Sequence, residues 1–104
     1  MMDTLCKLVI VCPKETADDI VEVLLEFNHL SPAFTTFDAD GHGHDFEAAS
    51  VQEQVRGRVA RRVLWLVLPI KDTAQVLGEV ASQVKNPHVT YWTEPILEFG
   101  HLPS

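Results

Sequence analysis

Residues 63–68 read Val-Leu-Trp-Leu-Val-Leu, apolar at every position. Successive side chains of a strand point to opposite faces, so Val63, Trp65 and Val67 take one face and Leu64, Leu66 and Leu68 the other. A sheet built around this strand must therefore be covered on both sides. What the rest of the chain offers as cover decides the fold.

Residues 4–12 read as a strand, with a continuous apolar run from Leu8 to Cys12 stopped by Pro13. Residues 16–28 read as a helix, with Ala17, Ile20, Val21, Leu24 and Phe27 at helical spacing. Thr16 and Asp19 suit its capping, and acidic residues fill its first turn, where the dipole favours them. Residues 33–40 form a second strand, and 59–70 contain the third. Residues 71–85 give a second helix, with Asp72 and Gln75 at its start and Leu77, Val80, Ala81 and Val84 as its apolar stripe. Asn86-Pro87 ends it, 88–93 is a last strand, and 96–102 is an apolar tail.

Strand, helix, strand, strand, helix, strand is the order of a ferredoxin-like βαββαβ fold of the α+β class. It predicts a four-stranded antiparallel sheet with two helices on one face, in a single domain spanning 1–104. The other face stays apolar and bare, beyond what a soluble monomer exposes. Another copy of the chain is the simplest cover under closed symmetry. A homo-oligomer is expected.

Apolar residues make up 46% of the chain and charged ones 22%, the balance of a folded chain rather than a disordered one. The net charge of −7 argues against nonspecific nucleic-acid binding, which needs Lys and Arg to neutralise phosphates. No segment approaches the roughly 18–20 apolar residues that cross a bilayer, so membrane insertion is not expected. The N-terminal apolar run is too short for a signal-peptide core, which makes the cytoplasm the expected compartment. There the two cysteines stay reduced. On one strand Cys6 and Cys12 would stand about 20 Å apart, too far to bond, and they read as small core hydrophobes.

Between the second and third strands lies a polar insert at about 41–58, and a long loop joining adjacent strands usually binds something. His42 and His44 lie one residue apart beside Asp40, Asp45 and Glu47. Imidazoles so spaced in an extended segment face one side and suit zinc, copper, cobalt or nickel, with carboxylates to complete the shell. Against this stands a loop tip whose histidines are merely solvated. Arg56, Arg58, Arg61 and Arg62 would grip a phosphate or an acidic partner, or simply pair with the chain's carboxylates. With the third strand starting near Val59, Arg61 and Arg62 fall on its opposite faces. His29 suits a helix end, and His88 or His101 could join a metal site across an interface. Trp65, Tyr91 and Trp92 read as core or interface aromatics. No nucleophile elbow, phosphate loop or dinucleotide fingerprint is present, so an enzyme is not expected.

The Phe-Thr-Thr-Phe strand (Phe34 to Phe37), the Gly-His-Gly segment (Gly41 to Gly43) and Glu53-Gln54-Val55-Arg56-Gly57-Arg58 resemble a small bacterial family of unknown function. That family is described as PII-like, related to the PII and CutA-type trimers, and is often encoded beside heavy-metal efflux pumps. The resemblance implies a trimer with its sheets around a central axis and an insert in the place of the T-loop. It also implies adenine-nucleotide clefts between subunits. Lys85-Asn86-Pro87-His88, however, carries none of the glycine-rich, basic sequence that grips phosphate in such clefts. The leading expectation is therefore a non-catalytic PII-like regulator whose 41–62 loop answers a transition metal and serves an efflux system. The alternative binds an adenine nucleotide or small anion in the intersubunit cleft near Arg56 and Arg58. A third reading, a small ferredoxin-like oxygenase, requires a closed cavity beneath the helices.

Overall fold

The computed structural model describes residues 4–27, 34–42 and 59–103. Strand β1 (Leu5–Pro13) leads into helix α1 (Ala17–Glu26), then β2 (Phe34–Gly41), β3 (Val59–Pro69), α2 (Thr73–Gln83) and β4 (Thr90–Pro95). The sheet order is β2-β3-β1-β4, and each neighbouring pair is antiparallel. With its two helices this is the expected α+β, ferredoxin-like arrangement. No helix among the described residues is long and apolar enough to cross a membrane. Residues 43–58 of the polar insert lie outside the described residues, as does His29.

Helix α1 begins one residue and α2 two residues after the starts expected at 16 and 71, for the same reason. Pro13 and Pro69 end β1 and β3, and each leads into a single 3-10 turn, Lys14–Thr16 and Ile70–Asp72. The fixed proline φ is compatible with the strand's last residue and with the sharp entry into the turn. The expected caps do not form, because neither Thr16 nor Asp72 makes a side-chain cap hydrogen bond. Thr16 is buried, and its hydroxyl accepts a hydrogen bond from Asn86 Nδ2 at 3.0 Å. Thr73 Oγ1 instead donates back to the Ile70 carbonyl at 2.8 Å.

The core fills the space between the helices and one sheet face. Leu8, Ile10, Leu64 and Leu66 meet Ile20 and Leu24 of α1 and Val76 of α2. The α1 face is largely the expected one, with Val23 more deeply buried than Val21. The α2 stripe is rotated. Val76 and Val80 reach the core, whereas Leu77 is half-buried and Ala81 exposed. Positions 76 and 80 lie one turn apart and satisfy the helical period as well as 77 and 81 do, so periodicity alone did not choose between them. At the edge, β4 runs on to Pro95 because Glu94 pairs with Lys7 and Pro95 with Cys6.

Candidate functional site

The insert is rooted in the hairpin of β2 and β3. Asp38 lies opposite Arg62, Ala39 opposite Arg61, Asp40 opposite Ala60, and Gly41 opposite Val59, which closes the stem. Strand alternation puts Asp38 and Asp40 on one side of β2, about 7 Å apart, and His42 continues that spacing one step past the strand. Asp38 joins two cations: Arg62 Nη2 at 3.0 Å and Lys14 Nζ at 3.4 Å. Its side chain is well exposed, so each pair adds less than about 1 kcal/mol to stability. Their effect is to hold the stem in register with the end of β1.

Arg61 and Arg62 fall on opposite faces of β3, as alternation requires, and Arg61 is buried. Arg62 thus pairs with a carboxylate of its own chain, and the two do not present one surface. His44, Asp45, Glu47, Arg56 and Arg58 lie outside the described residues. Among the described residues no three His, Cys, Asp or Glu groups gather closely enough to hold a metal ion.

Beside the stem is a small polar cleft of about 70 Å³, lined by Glu15, Arg61, Asn86 and His88. Asn86 organises it. Its amide donates to Thr16, and its carbonyl Oδ1 accepts the His88 backbone N–H at 2.9 Å. The volume is far below the roughly 300–1,000 Å³ of a small-molecule site, so the cleft as lined by the described residues has no room for a nucleotide. Cys12 lies nearby, its Sγ donating to the Arg62 carbonyl at 3.6 Å. Burial pushes its thiol pKa up to about 11, despite the opposing pull of Arg61 and Arg62. Burial also raises Cys6. Both cysteines are free and buried, which matches their reading as core residues and makes them poor thiolate ligands at neutral pH.

The face of the sheet away from the helices carries a second constellation. Phe37 of β2 meets Trp65 of β3 edge to face, with ring centroids 4.8 Å apart. Lys7 of β1 places Nζ 3.7 Å from the centre of the Trp65 ring and 3.9 Å from Glu94 of β4. Trp92 Nε1 then donates to Glu94 Oε2 at 2.8 Å. Val9 lies between Trp65 and Trp92 in the register and is only 1% exposed, although neither α1 nor α2 covers it. Trp65 and Trp92 themselves remain 42% and 47% exposed. One file of side chains therefore crosses all four strands, its aromatic rings still open to solvent.

Directly beneath the helices, Leu8, Leu24, Leu64 and Leu66 are fully buried. An apolar groove of about 490 Å³ opens instead at the margin, between α2 and β4. It is open to solvent rather than the closed cavity that the oxygenase reading requires.

Residues 2–103 match the family described as "Protein of unknown function (DUF3240)". The chain belongs to this family. A crystal structure of a DUF3240 family protein from Shewanella baltica OS155 superposes with a TM-score of 0.78 at 25% identity, covering 98% of this chain and 100% of that one. A Bacillus cereus protein related to NIF3 superposes at TM-score 0.69 and 14% identity. That match covers 95% of this chain but 27% of the other, and it shows a shared fold alone. Comparison with curated proteins gives no match.

Proposed function

We propose that this DUF3240 protein is a PII-like regulatory binding protein that forms a trimer through its open sheet face and acts through the 41–62 segment. In this reading the insert stands where PII proteins carry the T-loop. It takes up zinc, copper, cobalt or nickel, and a component of a heavy-metal efflux system reads its conformation. His42 and His44 supply imidazole nitrogens, with Asp40, Asp45 or Glu47 completing the shell. The ion selects the insert conformation that it binds best, and the partner responds to that population. No chemical step is required of the chain.

The placement of Asp40 and His42 carries this reading. A carboxylate and an imidazole follow one another at strand spacing on a stem tied down by Asp38, at the point where the insert departs. Calorimetric titration of the full chain with zinc tests it against the His42→Ala/His44→Ala double variant. Loss of affinity by more than about 100-fold is expected. Unchanged affinity removes both ligand assignments.

The polar cleft favours a second reading, in which an adenine nucleotide or small anion sits between subunits. Arg61, Asn86 and His88 would form one wall, and Arg56 and Arg58 would be the further cations of this reading. The cleft's small volume means that a neighbouring copy must build the rest. Charge reversal at Arg56 and Arg58 should abolish ATP binding in this reading, and binding that survives would dismiss it.

A further inference from the structure

The groove between α2 and β4 is floored by Ile10 and Tyr91 and walled by Leu77, Ala81, Val84 and Val89. It follows from the rotation of α2: with Val76 and Val80 turned to the core, Leu77 and Ala81 face sideways over an edge strand they do not fully cover. Its size suits a small molecule or a few side chains. The chain also carries apolar side chains that nothing covers. Beyond Pro95, residues 96–103 run on as an arm with neither helix nor strand. Leu97 and Leu102 are wholly or almost wholly exposed, and Phe99 more than half so. Such side chains gain by leaving water.

The two features lie at opposite ends of β4. The arm departs at Pro95, which pairs with Cys6, while the groove lies by Tyr91, which pairs with Ile10. Lys85 lines the groove, and Glu98 brings the opposite charge on the arm. An arm at one end and its receptor at the other is the geometry of head-to-tail association, which closes into a ring when the rotation permits.

We infer that the arm of one copy, residues 96–103, docks in the α2–β4 groove of a second copy, with Leu97 and Phe99 entering the groove from the same side of the extended arm. This inference rests on the reading of the protein as a cyclic oligomer. It adds a contact that the open sheet face does not supply.

The test uses full-length chains. Leu97→Cys and Ala81→Cys alter exposed positions outside the core, and they are introduced into separate chains that are refolded together. A flexible bismaleimide then links accessible thiols, while the buried Cys6 and Cys12 stay unreacted. The expected product has twice the chain mass, and peptide mapping joins position 97 of one chain to position 81 of the other. Adding Phe99→Asp to the arm chain should reduce its yield several-fold. With both cysteines in one chain, a link closed within that chain would overturn the exchange. An intact oligomer by sedimentation without a 97–81 link would overturn the arm contact and leave the oligomer standing. A wild-type monomer would overturn both.

Discussion

Cys12 lies beside Arg61 and Arg62 near the start of β3, and its titration gives a clear pH signature. Burial raises its pKa from 9.0 to about 11, so the folded chain holds this proton more tightly than the unfolded one. The contribution is complete below pH 9 and is lost as pH rises towards about 11. Stability should therefore fall over that window, with a shallower slope in Cys12→Ala. Urea unfolding followed from pH 8 to 11 measures the difference, and identical slopes would show that the thiol is not the group responsible. Asp38 makes a contrasting prediction. Because its ion pairs are well exposed, Asp38→Asn should shift unfolding by less than about 1 kcal/mol. It should nonetheless speed amide exchange at Asp40 and Gly41, since Lys14 and Arg62 no longer hold the stem. A large stability loss with unchanged exchange would reverse that assignment.

Among the elements, the segment after α2 is small but consequential. Asn86 reaches Thr16 at the start of α1 and also caps the turn through His88, coupling the two halves of the fold. Asn86→Ala leaves the Thr16 hydroxyl buried without this donor and should cost about 1–3 kcal/mol, read from the urea midpoint. A neutral substitution would mean that water replaces the amide. The strands were legible because side-chain alternation in 63–68 and the apolar run in β1 are local signals. The helix starts were less so: Pro13 and Pro69 marked the strand ends, but nothing local required a 3-10 turn after them. The turn of α2 towards Val76 depends on packing against Leu8 and its neighbours, which no single segment encodes. The Asp38–Arg62 pair needed the β2–β3 register before it could be seen. For the insert, the sequence supplied candidate ligands, and the structure places Asp40 and His42 at its root. His44, Asp45 and Glu47 lie beyond the described residues, and ligands from a neighbouring copy belong to no one-chain pattern.

At the scale of the molecule, the apolar strand that constrained the fold also bears on the proposed association. The helices cover Leu64, Leu66 and Leu68, and the opposite face keeps Trp65 and Trp92 nearly half exposed. If this face joins subunits, Trp65→Glu/Trp92→Glu buries two carboxylates in the interface and should leave a folded monomer in sedimentation velocity. An unchanged oligomer would place the interface elsewhere. In the proposed metal-sensing reading, the sheet would assemble the ring and the stem would carry the ligands to its rim. Native mass spectrometry of the full chain, titrated with zinc, copper, cobalt and nickel, addresses both parts in one spectrum. The account predicts a trimer that takes up one ion per subunit and loses it in His42→Ala/His44→Ala. A monomer that binds none of the four metals would contradict it.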